Sequence, residues 1–157
     1  MALYKHVPSL EKLRHLVAQE IFQRWEIPRV SPDAPLTLED YLWLFTESVI
    51  EFVKSNPGVT PYAIRRLTAT PAMLNKIVDH QVHIAQAYQL SMEQSRWLLA
   101  TLAFHGMAVA DTIYTVAGRA PLKNVDRTFE EAEMEIEMRQ GMRALIAGVL
   151  ATLPNGA

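Results

Sequence analysis

The stretch from Ser91 to Gly118, SMEQSRWLLATLAFHGMAVADTIYTVAG, constrains this chain more than any other. It is almost wholly apolar, yet His105 and Asp111 interrupt it and Arg119 and Pro121 follow it. The apolar pieces Trp97 to Ala110 and Ala144 to Leu153 both fall short of the ~20 residues a bilayer span requires. The stretch therefore predicts the central helix of a soluble helical domain, opened by a capping box from Ser91 and Gln94 and closed by Gly118.

The remaining helices follow from periodicity and punctuation. Ser9 caps a first helix with Leu10, Leu13, Val17, Ile21 and Trp25 on one face, ending at Pro28. Residues 27–36 form a proline-rich connection, with Pro28, Pro32 and Pro35 fixing torsions and removing donors. Thr37 starts a second helix, with Leu36 and Tyr41 as a staple and Leu38, Tyr41, Leu42, Phe45, Val49, Phe52 and Val53 as its stripe. Trp43, Leu44 and Ile50 widen that stripe, so the helix is expected to be covered on more than one side. Asn56, Pro57 and Gly58 stop it. Thr60 and Pro61 begin a short helix to about Leu67. Thr70 and Pro71 begin another to about Tyr88, with Leu74, Ile77, Val78, Ile84, Ala85 and Tyr88 inward. Thr128 and Glu131 form a capping box for a last helix over 128–153, whose acidic first turns suit the helix dipole.

No strand-like alternation and no repeat survives, so the fold class expected is all-α: about six helices in a single-domain bundle over residues 1–157, with no sheet. Ala103, Gly106, Ala110 and Ala117 in the central helix, and Gly141, Ala144, Gly148 and Ala151 in the last, predict close packing of these two helices, within a protomer or across a dimer. The expected oligomer interface is Met138, Gly141, Ala144, Leu145, Gly148 and Val149.

The chain has no cysteine, which excludes disulfides, thiolate metal sites and cysteine nucleophiles. The N-terminus lacks an uninterrupted apolar core with a cleavage site, so a cytoplasmic protein without a signal peptide is expected. Net charge is -2, but its distribution is uneven. Phe52 to Val78 holds Lys54, Arg65, Arg66 and Lys76 and no acid, whereas Asp126 to Gln140 holds six acids against Arg127 and Arg139.

Residues 60–79, TPYAIRRLTATPAMLNKIVD, have a short helix, a tight turn and a second helix, with Ala63, Leu67, Ala69, Leu74 and Ile77 placed to pack together and Thr70 as the second cap. This stretch resembles the helix-turn-helix of DNA-binding proteins. The resemblance covers these 20 residues and departs from the motif at Ile64 and Thr68, at Asp79, and in the length of the second helix. It implies that Ala72, Asn75, Lys76 and Asp79 face a major groove, where Asn reads adenine and Lys reads guanine, while Arg65 and Arg66 meet phosphates.

Other chemistry has thinner support. Asp79, His80 and His83 share a helix, and His105 with Asp111 offers further ligands; these are the metal candidates, without the paired Glu-x-x-His units of helical metal sites. No nucleophile elbow or phosphate-binding glycine loop is present. Met134, Met138 and Met142 line one edge of the last helix, as gap-filling core or as a docking edge. The function expected is a non-catalytic binding protein without a cofactor or a membrane partner. Its specific form is a homodimeric regulator binding double-stranded DNA. The alternative is an adaptor or assembly subunit binding other proteins through the second and last helices, and a small metal-dependent enzyme comes third.

Overall fold

The computed structural model describes residues 9–63, 69–115 and 127–154, with side chains in the last segment described from Glu131 onward. Among these residues the chain is all-α, with the order α1 (Leu10–Arg24), α2 (Leu38–Ser55), α3 (Thr60–Ala63), α4 (Pro71–Tyr88), α5 (Met92–Tyr114) and α6 (Arg127–Ala151). No strand is found among the described residues; a β-bridge pairs Ser31 with Ala34 across a turn.

Four helix starts form as their residues dictate. The hydroxyls of Ser9, Thr37, Thr70 and Ser91 accept from the backbone N–H groups of Lys12, Asp40, Met73 and Gln94, at 3.1, 3.1, 3.2 and 3.1 Å. Each bond satisfies a first-turn amide that has no partner inside its helix. At Ser91 the box is reciprocal, because Gln94 Oε1 accepts from the Ser91 N–H at 2.9 Å. α6 begins at Arg127, one residue before the expected cap Thr128. α4 ends without glycine: Gln89 adopts the left-handed conformation at φ 54°, and the Leu90 N–H reaches the Ala85 carbonyl at 2.9 Å. Gly118 and the far end of the short helix expected after Pro61 lie outside the described residues.

α5 is the centre of the bundle. It packs most extensively on α2, with α4 and α6 on its other sides. Tyr41, Leu42, Val49 and Val53 of α2 and Leu98, Leu102 and Ala110 of α5 are fully buried. Burying each aliphatic side chain of this size contributes roughly 1.5–3 kcal/mol. The helices approach closely at Gly106, where an added Cβ would lie 3.2 Å from Val49 Cγ1 and 3.9 Å from Met142 Sδ.

That contact corrects the expected packing of α5 on α6. Gly106 and Ala110 do face inward, but Gly141, Ala144, Gly148 and Ala151 are exposed, and nothing stands within 4 Å of a Cβ at either glycine of α6. α6 packs instead through Met138, Met142, Ile146 and Val149, all buried. Two flexible methionines and two β-branched side chains fill the space that small ones were expected to close. Met138 and Val149 are therefore core residues and not a free oligomer face. Leu145 is half-buried, and Gly141, Ala144 and Gly148 remain on the surface.

Two other stripes are rotated from expectation. On α1, Ala18 and Phe22 are buried while Leu10 and Val17 stay half exposed, because only the C-terminal half of the helix lies on the core. On α2, Leu44 is exposed. The basic and acidic regions meet within the chain, as Lys54 Nζ lies 3.2 Å from Glu135 Oε1 and 5.2 Å from the centre of the Tyr114 ring. Tyr114 donates its hydroxyl to the same Glu135 oxygen at 2.6 Å, tying α2, α5 and α6 together.

Candidate functional site

α4 carries most of the residues singled out from sequence, and its two sides do different things. One side bonds to the backbone running from the end of α1 to the start of α2. Lys76 Nζ donates to the carbonyls of Phe22 (2.9 Å), Gln23 (2.8 Å) and Trp25. These carbonyls lie at the negative end of α1, where a cation is favoured, and the Phe22 carbonyl also accepts the Trp25 N–H at 3.2 Å. Its ammonium also sits 5.7 Å from the centre of the Phe22 ring. Burial lowers the Lys76 pKa, and nearby Glu26 works the other way.

One turn on, Tyr41 of α2 donates its hydroxyl to the Pro28 carbonyl at 2.8 Å, and His80 Nε2 stands 2.5 Å from the same hydroxyl oxygen. A phenol has one proton, so His80 is the donor in that second contact and is held as the neutral Nε2–H tautomer. Burial brings the His80 pKa down to about 4, with the Pro28 carbonyl opposing the shift and His83 and Arg29 adding to it. Burial likewise raises the pKa of Tyr41, ahead of the effect of Tyr88. His83 Nε2 accepts the Val30 N–H at 2.9 Å, and Tyr88 donates to the carbonyls of Leu36 (3.1 Å) and Thr37 (3.4 Å). The irregular connection thus finds its backbone partners on one face of α4, as buried polar groups must.

This geometry reassigns several candidate residues. Lys76 is not on an outward, base-reading face; it caps α1. Leu74 and Val78, expected inward, are 44% and 48% exposed, while Met73, His80, Gln81 and Ile84 are buried. The helix is rotated so that its polar row meets the connection. Ala72, Asn75 and Asp79 are exposed, as expected of an outer face, and Arg65 and Arg66 lie outside the described residues. His80 and His83 are occupied by structural hydrogen bonds. His105 is exposed, with Nδ1 2.7 Å from the Thr101 carbonyl of its own helix, and Asp111 accepts from the Thr115 hydroxyl at 2.6 Å. No group of three or more His, Asp or Glu residues converges as a metal site among the described residues.

The other side of α4 lines a cleft of about 250 Å³ shared with α5. Its floor is aromatic, from Phe22, Trp25 and Phe45. Trp25 stacks on Phe52 with centroids 4.7 Å apart and donates its indole N–H to Ser48 Oγ at 3.0 Å, so the floor is held in place. Phe45 stacks on His80 at 5.4 Å. Leu74 and Val78 from α4 and Phe104 from α5 line the cleft while remaining about half exposed. Its polar lining consists of His80, Gln81 and Arg96. A broader, more open groove of about 560 Å³ between α1 and residues 56–62 is lined mainly by aliphatic groups, and its cation Arg14 already pairs with Glu11 at 3.6 Å.

Gln81, Arg96 and Phe104 were not anticipated from sequence. Two of them, Arg96 and Phe104, sit on the central helix, where the sequence singles out His105 and Asp111. The available signal was the continuation of apolar residues around α5 to Phe104, beyond what a single buried stripe needs.

No protein-family model, curated protein or solved structure matches this chain. Its geometry therefore stands alone as the basis for a function.

Proposed function

We propose that this chain is a non-catalytic binding protein whose small, mainly apolar ligand occupies the cleft between α4 and α5. The supporting observation is the cleft itself, about 250 Å³ over an ordered aromatic floor with a few polar side chains in its walls. Concave, mostly apolar sites with sparse polar groups are the usual form of small-molecule sites. The nearby ring nitrogens that acid–base chemistry would use, His80 Nε2 and His83 Nε2, are engaged by Tyr41 and Val30. The test is a titration with benzyl alcohol followed by amide and indole N–H shifts. Shifts at Trp25 and along the facing sides of α4 and α5, lost in Ala103→Phe, support the proposal. No shifts, or shifts that the filled variant keeps, overturn it.

DNA binding through residues 60–79 keeps one specific support: Thr70 caps α4, and Ala72 and Asn75 stand exposed just beyond it. Lys76 no longer contributes a base contact. Mixed duplex DNA at low salt tests this with wild type and Arg65→Ala/Arg66→Ala/Asn75→Ala; absent binding, or binding that the variant retains, ends it. A protein partner on α2 and α6 would meet the exposed Leu44 and Ile136 and not the buried Met138 and Met142. Self-association through Gly141, Ala144 and Gly148 predicts a dimer by light scattering at micromolar concentration, weakened in Gly148→Leu.

A further inference from the structure

We infer that the ligand of the α4–α5 cleft is a small monocarboxylate with an apolar body of modest length, its acid group held at Arg96. This rests on the cleft being a binding site, as proposed above. Arg96 lies on α5, lines the cleft and is exposed, and it makes no hydrogen bond or salt bridge with any described residue. Four other arginines on the surface are engaged: Arg14 pairs with Glu11, Arg24 with Glu20 and Arg139 with Glu47, while Arg143 lies over the Trp43 ring; Arg29 is exposed without such a contact but does not line the cleft. A guanidinium beside an apolar cleft offers a planar fork that matches a carboxylate in bidentate geometry.

Gln81 is the second, independent observation. It is only 7% exposed, it lines the same cleft, and its side-chain amide has no hydrogen-bond partner among the described residues. Its backbone carbonyl, by contrast, is used, accepting from the Ser95 hydroxyl at 2.7 Å. The buried side-chain polar atoms without a partner among the described residues are those of Thr46 and Thr60, so the Gln81 amide still reaches solvent, and a ligand oxygen in the cleft can take that solvent's place. A single guanidinium and one amide suit a monoanion better than a phosphate dianion, which calls for more donors.

Size follows from volume. A 150 Å³ apolar cavity takes benzene, so a cleft of about 250 Å³ takes a ligand of about ten non-hydrogen atoms. Octanoate has that size, with an unbranched tail to lie along Trp25 and Phe45.

Calorimetric titration of the full chain at neutral pH with sodium octanoate, octan-1-ol and octylammonium tests the inference. Octanoate is expected to bind roughly tenfold or more tighter than octanol, the scale of one charged hydrogen bond. Arg96→Met should bring octanoate down to the octanol level and leave octanol unchanged, and Gln81→Leu should weaken octanoate more than octanol. Arg96 is exposed, so its replacement leaves the fold intact, as circular dichroism checks. Equal binding of acid and alcohol, a preference retained in Arg96→Met, or tighter binding of octylammonium overturns the carboxylate inference while leaving the cleft as a binding site. Failure of all the probes to bind overturns both.

Discussion

His80 Nε2 and the Tyr41 hydroxyl oxygen stand 2.5 Å apart, joining α4 to α2 through a histidine that is a neutral donor in the folded protein. The folded state resists protonating it. Unfolded, His80 takes up a proton near its ordinary value of 6.5, but folded only at about 4. Between those values the unfolded chain binds more protons, so stability falls as pH drops through that window, by up to about 3 kcal/mol. Urea unfolding from pH 7 to 4.5 should show this loss, and His80→Gln should flatten the slope. A stability that does not fall over this range would contradict a His80 held neutral in the folded protein.

Lys76→Met keeps the apolar stem against Phe22 but removes the donors to the end of α1. A cost of about 2 kcal/mol is expected, the sum of charged hydrogen bonds and the interaction with the helix end. The exposed Arg24→Ala should stay within about 0.5 kcal/mol of wild type in the same denaturation series. If Lys76→Met is equally neutral, the lysine is free for some other role.

The glycines of the two long helices should respond in opposite directions. Gly141→Ala and Gly148→Ala add helix propensity on an open surface, worth roughly 0.5–1 kcal/mol each. Gly106→Ala drives a methyl toward Val49 Cγ1 at 3.2 Å, and overpacking of about 1–3 kcal/mol outweighs the propensity gain. Thermal midpoints should rise for the first pair and fall for the third.

Tyr114→Phe removes the hydroxyl that Glu135 accepts at 2.6 Å. Glu135 titrates below the usual carboxylate range mainly because of that bond, with Lys54 helping and burial opposing. A carbon-detected titration should find the Glu135 carboxyl moving upward in the variant, alongside a loss of about 1–2 kcal/mol of stability. Unmoved titration would mean that the cations Lys54 and Arg139 set the carboxylate.

The helices were legible because their boundaries are written in short-range chemistry: Ser9, Thr37, Thr70 and Ser91 sit where a hydroxyl reaches an amide three residues on, and all four do so. The rotation of each helix was less legible. Apolar spacing placed Leu74 and Val78 inside, but the orientation of α4 follows where the connection's carbonyls and amides lie, and no periodicity encodes that. Lys76, His80, His83 and Tyr88 recur on one face of α4, a polar row whose partners only tertiary structure supplies. The cleft was hidden for a related reason. Leu99, Ala103 and Met107 look alike whether they meet a neighbouring helix or an open space.

The turn at Ser31–Ala34 differs from the chain on either side of it. Val30 and the Leu36–Thr37 carbonyls are held by α4, whereas among the described residues the turn closes on itself, through Ala34 N–H to Ser31 O at 3.2 Å and Asp33 N–H to Ser31 Oγ at 3.3 Å. A peptide tag or a fluorescent label spliced between Pro32 and Asp33 would therefore hang from two fixed anchor points. It would report on the protein without loosening the connection beneath it.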